Sequence, residues 1–167
     1  IVSGGHTQLV LFRDHFDYKI LGQTGDDAVG EAFDKVAKIL GLAYPGGPSI
    51  AAAAKLGDPN KYHLPKAKMQ NAYDFSFSGL KTAVLRAVQR EVGVDFNYPS
   101  SRLAELLNDQ QRFDFAASFQ KTAIDTLVDQ TVKAFHDNSI KSVVISGGVS
   151  ANNLLRKTLS ERLPIDV

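Results

Sequence analysis

Two Ser-Gly-Gly segments are the part of this sequence best suited to bind a ligand. Ser3-Gly4-Gly5 and Ser146-Gly147-Gly148 each follow a short apolar, β-rich run. Glycine lets a ligand approach the backbone closely, and successive free N–H groups in such a turn form an anion-binding concavity. The second turn also leads into a predicted helix, whose N-terminus favours phosphate. Two matched turns therefore predict a site for an anionic ligand, whereas one such turn alone would more often be a tight connection with no ligand.

Three further positions are open to two interpretations. Asn152 lies in the predicted first turn of the last helix, where its amide offers both a donor and an acceptor. Asp34 and Lys38 have the i, i+4 spacing of a weak ion pair on a solvated helix face. Tyr44–Pro48 contains a third glycine pair, Gly46-Gly47, which is typical of a rigid turn between helices. From spacing alone, the purely structural interpretation is preferred for Asp34 and for this glycine pair.

The segment Phe75–Thr82 combines aromatic residues, hydroxyls and a lysine at a predicted helix start. One interpretation is a buried aromatic loop with a serine cap. The other is a basic, aromatic surface for RNA, since Lys61, Lys66 and Lys68 are near it in sequence.

Composition excludes several classes of site. The 167 residues include no Cys, which removes disulfide scaffolds, thiolate zinc sites, iron–sulfur clusters and thiol nucleophiles. The 19 Lys+Arg against 18 Asp+Glu argue against a strongly basic nucleic-acid binder, although not against a local basic face. No apolar run approaches the roughly 20 residues of a membrane span, so a cytoplasmic location is expected. The four histidines lack the i, i+4 spacing of a metal-binding pair: His6, His15, His63 and His136.

The elements that position these residues follow from periodicity. Thr7–Arg13 and Tyr18–Gln23 predict a β-hairpin. Apolar residues at steps of three and four from Val29 to Leu40 predict an amphipathic helix, capped by Asp26 or Asp27 and stopped at Gly41. Further helices are predicted at Ser49–Leu56, Leu80–Val92, Ser100–Asn108 and Phe113–Phe135, then a buried strand at Lys141–Ser146 and a last helix capped by Ser150 and ending near Arg162. Strands at both ends with helices between them predict an α/β fold.

Both ends of the chain are typical of interrupted strands. Ile1 is not an initiator methionine and begins inside a β-rich run, and Pro164–Val167 has the pattern of another strand. The sequence is therefore expected to be a piece of a longer protein.

Five motifs in order resemble one known family. They are Ser3-Gly4-Gly5-His6-Thr7-Gln8, Gly30-Glu31-Ala32-Phe33-Asp34-Lys35, Tyr44-Pro45-Gly46-Gly47-Pro48, Phe75-Ser76-Phe77-Ser78-Gly79-Leu80-Lys81-Thr82 and Ser146-Gly147-Gly148-Val149-Ser150-Ala151-Asn152. Together they resemble the tRNA adenosine threonylcarbamoyltransferase family, TsaD in bacteria, formerly called O-sialoglycoprotein endopeptidase or glycoprotease. The resemblance spans essentially the whole chain, and its specificity comes from the five motifs together.

The resemblance implies the actin/Hsp70/sugar-kinase (ASKHA) ATPase fold, here incomplete, with two lobes around a nucleotide cleft. Residues 1–25 would form the strand, glycine turn and hairpin of the cleft, 26–138 a helical region of the second lobe, and 139–167 a strand–Gly-Gly–helix nucleotide-binding unit. The implied enzyme transfers a threonylcarbamoyl group from threonylcarbamoyl-AMP to the exocyclic amine of the adenosine beside the anticodon, in tRNAs that read ANN codons.

The implied substrate-binding residues include two for which spacing alone favoured a structural role, Asp34 and Gly47. With the second glycine turn, the candidate set is Ile1, Val2, Ser3, Gly4, Gly5, Asp34, Gly47, Gly147, Gly148 and Asn152. No catalytic residue is assigned. The family's iron or zinc ion is held by a His-x-x-x-His pair before the first Ser-Gly-Gly and by an Asp after the last helix, and neither is in this sequence. We therefore expect these 167 residues alone to lack transferase activity and to bind no stoichiometric metal.

The implied partners are tRNA, a TsaB-like paralogue and a TsaE-like ATPase, and no membrane. Apolar surface left uncovered by a missing lobe would also favour a homodimer. Two other functions stay open: an ATPase or sugar kinase of the same fold, which would need a catalytic carboxylate and Mg²⁺, and a non-catalytic partner subunit, which degenerate glycine motifs would favour. No protease constellation supports the old endopeptidase name.

Overall fold

A β-hairpin opens the fold. In the computed structural model, which describes residues 1–165, β1 (Gln8–Asp14) and β2 (Asp17–Gln23) pair antiparallel, as predicted. Val10 lies opposite Ile20, and Phe12 opposite Tyr18 with their rings 5.6 Å apart. Phe12 and Tyr18 are 69% and 60% exposed, so this end of the hairpin leaves apolar surface uncovered within the described residues.

Within residues 1–165, five helices follow the hairpin, which confirms the expected α/β composition. They are α1 (Val29–Ile39), α2 (Gly46–Ala54), α3 (Ser78–Glu91), α4 (Asp109–Asp137) and α5 (Asn153–Arg162), with short 3₁₀ turns at Ser100–Glu105 and Gly148–Ala151. A single apolar core contacts all five helices and reaches back to Val2. None of the helices in residues 1–165 is both long and apolar enough to cross a membrane.

Helix α1 has the predicted apolar face and the predicted end. Val29, Phe33 and Val36 are buried, and Gly41 takes a φ of +70° just beyond the helix, a conformation that favours glycine. The predicted aspartate cap is wrong. The N-cap is Ala28, and the first free N–H, that of Val29, donates instead to the hydroxyl of Thr7 at 2.9 Å. The residue just before β1 thus caps the helix, and a cap supplied from outside the local sequence leaves no local signal.

Helix α2 begins three residues earlier than the sequence predicts. Gly46, Gly47 and Pro48 form its first turn instead of a separate connection. Proline is tolerated in a first turn because the N–H it lacks has no intrahelical partner there. The predicted turn at Tyr44–Pro48 is therefore only partly correct.

Helix α4 is the longest element and carries its own cap. Asn108 accepts a hydrogen bond from the N–H of Gln111, and the side chain of Gln111 accepts one from the N–H of Asn108. Phe115 and Phe119 are fully buried, and Phe119 meets Phe33 of α1 edge to face at 5.0 Å. The predicted helix at Ser100–Asn108 is shorter, a 3₁₀ turn that ends at Glu105 before this cap.

The predicted strand at Lys141–Ser146 is wrong. Within residues 1–165 its backbone makes one hydrogen bond outside the segment, from the N–H of Val2 to the carbonyl of Ser146 at 2.8 Å. Val143 and Ile145 pack against the core, but Val144 is 84% exposed. A β-rich sequence forms a strand only where a second strand completes its ladder. Residues 1–165 supply no such strand here.

Asp26 caps α3, a helix that begins 52 residues further along the chain. Its Oδ1 accepts from the N–H groups of Phe77 and Ser78, at 2.9 and 3.3 Å, and its Oδ2 accepts from the hydroxyl of Ser76. The predicted serine cap of this helix is therefore wrong. Partial burial raises the pKa of Asp26, but these hydrogen bonds lower it more, so its net pKa lies below the usual value.

Removing this carboxylate is expected to destabilise the fold at neutral pH. Asp26→Ala should lower the free energy of unfolding by about 1 kcal/mol, as for loss of a helix cap. A carboxyl group whose pKa is depressed by folding contributes stability above its unfolded pKa and loses it as the pH falls through the folded value. Urea titrations should therefore show the difference between wild type and Asp26→Ala shrinking below about pH 4.

Asp14→Ala is the matched control, because the Asp14 carboxylate accepts only from the N–H of the adjacent His15. It should change the free energy of unfolding by less than about 0.5 kcal/mol. Equal effects of the two substitutions at pH 7 would contradict the capping role of Asp26.

Candidate functional site

The first glycine turn is folded by its own serine. Ser3 Oγ accepts from the N–H of His6 at 2.9 Å and from that of Gly5 at 3.3 Å, and the N–H of Ser3 donates to the carbonyl of His6 at 2.8 Å. Gly4 and Gly5 are exposed, and a Cβ added at either would meet open space. The backbone of this turn is therefore fixed from within, while its outer side is open to a ligand.

The second glycine turn is joined directly to the first. Val2 donates its N–H to the carbonyl of Ser146 at 2.8 Å and accepts from the N–H of Val149 at 3.0 Å. Gly147 lies between these bonds with a φ of +98°, and a Cβ there would come within 2.4 Å of the Val2 carbonyl oxygen. The two Ser-Gly-Gly turns, 143 residues apart in sequence, thus form one unit, which we call the turn pair (Val2–Thr7 with Ser146–Val149).

The turn pair leaves donors unused. Within residues 1–165, the N–H groups of Gly4, Gly147 and Gly148 have no hydrogen-bond partner. Successive unpaired backbone N–H groups attract anions. The turn pair therefore has unpaired donors of the kind that anion sites use, and anion binding by the two turns stays a prediction.

The start of α1 packs against the turn pair. Gly30 donates its N–H to the carbonyl of Ser3 at 3.1 Å, and a Cβ at Gly30 would lie 2.7 Å from that oxygen. Asp34 follows four residues later and so lies on the same helix face, one turn from this contact. Gly30 was marked in the sequence only as the first residue of a family motif and not as a site residue, although a glycine inside an amphipathic helix pattern is a signal of close packing.

Asp34 links α1 to the start of α2. Its Oδ1 accepts from the N–H of Gly46 at 2.7 Å, and a Cβ at Gly46 would lie 2.6 Å from the Asp34 Cα. Within residues 1–165, Oδ2 has no hydrogen-bond partner and stays an acceptor. Gly47 follows with open space where a Cβ would lie. Asp34 therefore has a structural role as well as one oxygen free for a ligand, and it does not form the ion pair with Lys38 that its spacing allows.

The last candidate, Asn152, is the N-cap of α5. Its Oδ1 accepts from the N–H groups of Leu154 and Leu155 at 3.0 and 3.1 Å, which makes the predicted cap at Ser150 wrong. Its Nδ2 donates to Oε1 of Gln120, a buried residue of α4, at 3.0 Å. The amide oxygen is thus fully used by the helix, so Asn152 can offer a ligand a donor but not the acceptor that its residue type also allows. No sequence signal marked Gln120, because it lies one residue from the apolar face of α4.

One lysine of α1 forms ion pairs with two acidic residues at the start of the helix. Lys35 Nζ lies 2.7 Å from Asp27 Oδ1 and 2.8 Å from Glu31 Oε1. The hydrogen bond to Asp27 raises the pKa of Lys35 most, and the hydrogen bond to Glu31 raises it further. Asp27 Oδ2 is buried without a partner among the described residues. No three His, Asp or Glu side chains of residues 1–165 lie close enough together to hold a metal ion.

The two phenylalanine rings of the aromatic segment are buried and not exposed to a ligand. Phe75 and Phe77 are 2% and 0% exposed and stack on each other with centroids 6.2 Å apart. Lys66 is paired with Asp129 at 2.6 Å. The alternative of a buried aromatic loop is therefore confirmed for this segment.

The fold and the turn pair define an α/β protein in which two glycine turns and a helix start enclose one open backbone surface. Its sequence matches the family model described as TsaD, tRNA N6-adenosine threonylcarbamoyltransferase, over residues 1–166. The chain therefore belongs to the tRNA N6-adenosine threonylcarbamoyltransferase family, as its motifs indicated.

Curated relatives carry the same name. The chain is 48% identical over 163 residues to the tRNA N6-adenosine threonylcarbamoyltransferase of Symbiobacterium thermophilum, and 49% over 164 residues to that of Gloeobacter violaceus. In both cases 98% of this chain aligns with 44% of the relative. The relative from Thermomicrobium roseum is 45% identical over 174 residues, which cover all of this chain and 48% of the relative. The chain thus spans about half the length of the curated relatives it matches.

Proposed function

We propose that this chain supplies the adenylate-binding part of a tRNA N6-adenosine threonylcarbamoyltransferase with the ASKHA fold. The reaction transfers the threonylcarbamoyl group of threonylcarbamoyl-AMP to the exocyclic amine of the adenosine beside the anticodon. The observation that carries the proposal is the pair of backbone hydrogen bonds made by Val2, which donates to Ser146 and accepts from Val149. These two bonds join two distant glycine turns into one surface of donors. A connection with no ligand would not require both turns to meet with free N–H groups.

Each part of the site has a proposed role. The free N–H groups of Gly4, Gly147 and Gly148 face the anionic phosphate of the adenylate, where fixed dipoles also stabilise charge as AMP leaves. Asp34 Oδ2 accepts a hydrogen bond from a substrate hydroxyl, next to the open space at Gly47. Asn152 donates to the adenosine. Together these contacts hold the substrate in one orientation, which lowers the entropic part of the barrier.

The other proposed features concern the longer protein. An iron or zinc ion is proposed for it, but the described side chains do not fit a metal, so no step is assigned to one here. The segments 1–25, 26–138 and 139–167 are proposed as cleft, helical region and nucleotide-binding unit. tRNA, a TsaB-like paralogue and a TsaE-like ATPase are the proposed partners, and the exposed pair Phe12 and Tyr18 is compatible with a homodimer of this chain.

Nucleotide titration tests the proposal. Calorimetry of the purified chain with AMP, and with a non-hydrolysable threonylcarbamoyl-adenylate analogue, should show one site. Gly148→Val should abolish binding without unfolding the chain, because its side chain enters open space on the ligand side of the turn pair. Gly79→Val, at a glycine of α3 with equal open space, should bind as wild type does. No binding by wild type, or equal binding by Gly148→Val, would contradict the proposed site.

A further inference from the structure

We propose that Gln120 is a positioning residue for nucleotide binding. Its side chain fixes Asn152, so that the corner of the site formed by the Asn152 and Gln120 side chains presents only hydrogen-bond donors. The inference rests on the proposed function, because it concerns how the same site selects its ligand. It starts from one contact, the 3.0 Å hydrogen bond from Asn152 Nδ2 to Gln120 Oε1.

The helix cap determines the polarity of both amides. Backbone N–H groups only donate, so the Asn152 atom that receives those of Leu154 and Leu155 must be its oxygen. The other end of the Asn152 amide is therefore its NH₂ group. Because that group donates to Gln120, the facing atom of Gln120 must be its own oxygen. One backbone feature of α5 thus sets the orientation of two side chains on two different helices.

Burial makes this orientation rigid. Gln120 is 8% exposed and stands on α4, the longest helix, next to the fully buried Phe119. A buried side chain on a packed helix has few rotamers open to it. Asn152 is therefore held from both ends, by the start of its own helix and by α4.

The groups left over are donors. One N–H of Asn152 Nδ2 and the NH₂ group of Gln120 have no hydrogen-bond partner within residues 1–165. The Gln120 nitrogen is not sealed from solvent, and Asn152 is half-buried. A ligand at this corner must therefore present an acceptor. The ring nitrogens and ribose oxygens of an adenosine are acceptors, whereas its exocyclic amine is a donor. The structure assigns this corner to the acceptor edges of the nucleotide and not to its amine.

Three substitutions on α4 test the role of Gln120. Gln120→Met removes the acceptor at similar size and should weaken AMP binding about tenfold, the equivalent of about 1.4 kcal/mol. Gln120→Glu keeps an acceptor oxygen for Asn152 but replaces the free NH₂ donor of Gln120 with an acceptor, so it should recover only part of the affinity that Gln120→Met loses. Adenosine is titrated alongside AMP, because the introduced carboxylate would repel a phosphate. Gln130→Met is the control, since Gln130 lies on the same helix but donates its hydrogen bond to the backbone carbonyl of Asp74.

An NMR measurement covers the case in which Gln120→Met does not fold. In wild type, one of the two Asn152 side-chain amide protons should exchange with solvent more slowly than the other, with or without nucleotide. Equal, fast exchange of both protons would overturn the inference. If wild type binds AMP and Gln120→Met binds it with the same affinity, the inference is overturned and the proposed function stays intact. Wild type without any nucleotide affinity would overturn the proposed function and the inference with it.

Discussion

Gly147→Ala is expected to separate the two glycine turns and to abolish nucleotide binding. Gly147 has a φ of +98°, and a Cβ there would lie only 2.4 Å from the Val2 carbonyl oxygen. That oxygen is a backbone atom, and the Cβ is bonded directly to the backbone. A side chain cannot rotate out of the way, so the backbone has to move. Strain of this kind and overpacking together lower the free energy of unfolding by about 3 kcal/mol.

The neighbouring glycine provides the control. Gly148 has no atom within 4 Å of an added Cβ and no positive φ, so Gly148→Ala should change the free energy of unfolding by less than about 0.5 kcal/mol. Urea denaturation and AMP titration of both variants are the measurements. If Gly147→Ala denatures like Gly148→Ala and still binds AMP, the bonds made by Val2 do not hold the site together.

Local periodicity was sufficient for most of the helices. The apolar steps of α1 and the long apolar face of α4 appear as buried Phe33, Phe115 and Phe119, because side chains three and four residues apart share one helix face. The hairpin followed from two β-rich runs with a short polar break. In each case the signal and the structure it specifies lie within the same stretch of sequence.

Features set by distant residues were not predictable in this way. The cap of α1 comes from Thr7 and the cap of α3 from Asp26, neither of which belongs to the helix it serves. The segment Lys141–Ser146 has the composition of a strand but lacks a pairing strand within residues 1–165. Phe75 and Phe77 lie in the core because α1 and α3 pack beside them, and their sequence is equally compatible with an exposed aromatic surface.

The candidate site combines both kinds of information. Two Ser-Gly-Gly sequences indicated two anion-binding turns, and glycine content alone was enough for that. That the turns meet through Val2, that Gly30 packs on Ser3 and that Gln120 holds Asn152 all depend on tertiary contacts. The sequence therefore indicated which residues are candidates for the site, whereas tertiary contacts determine which donors and acceptors those residues can offer a ligand.

Asn152→Asp is expected to separate the capping role of this residue from its ligand role. Aspartate caps helices as well as asparagine does, so the N–H groups of Leu154 and Leu155 keep their acceptor. In this variant the NH₂ group of residue 152 no longer fixes the Gln120 amide, so the amide can flip within the same space and donate to the new carboxylate. The fold should therefore stay within about 1 kcal/mol of wild type. The donor offered to the nucleotide is lost and replaced by an acceptor, so AMP affinity should fall about 100-fold.

The same substitution at another helix cap separates this effect from the chemistry of capping. Asn108 caps α4 through the same type of bond, to the N–H of Gln111, and is not part of the candidate site. Asn108→Asp should leave AMP affinity unchanged, and calorimetry with AMP and with uncharged adenosine distinguishes loss of a donor from repulsion of the phosphate. If Asn152→Asp weakens AMP binding but not adenosine binding, charge and not donor polarity governs this corner of the site. If it weakens both, Asn152 acts on the adenosine as a donor, because adenosine carries no phosphate for the new carboxylate to repel.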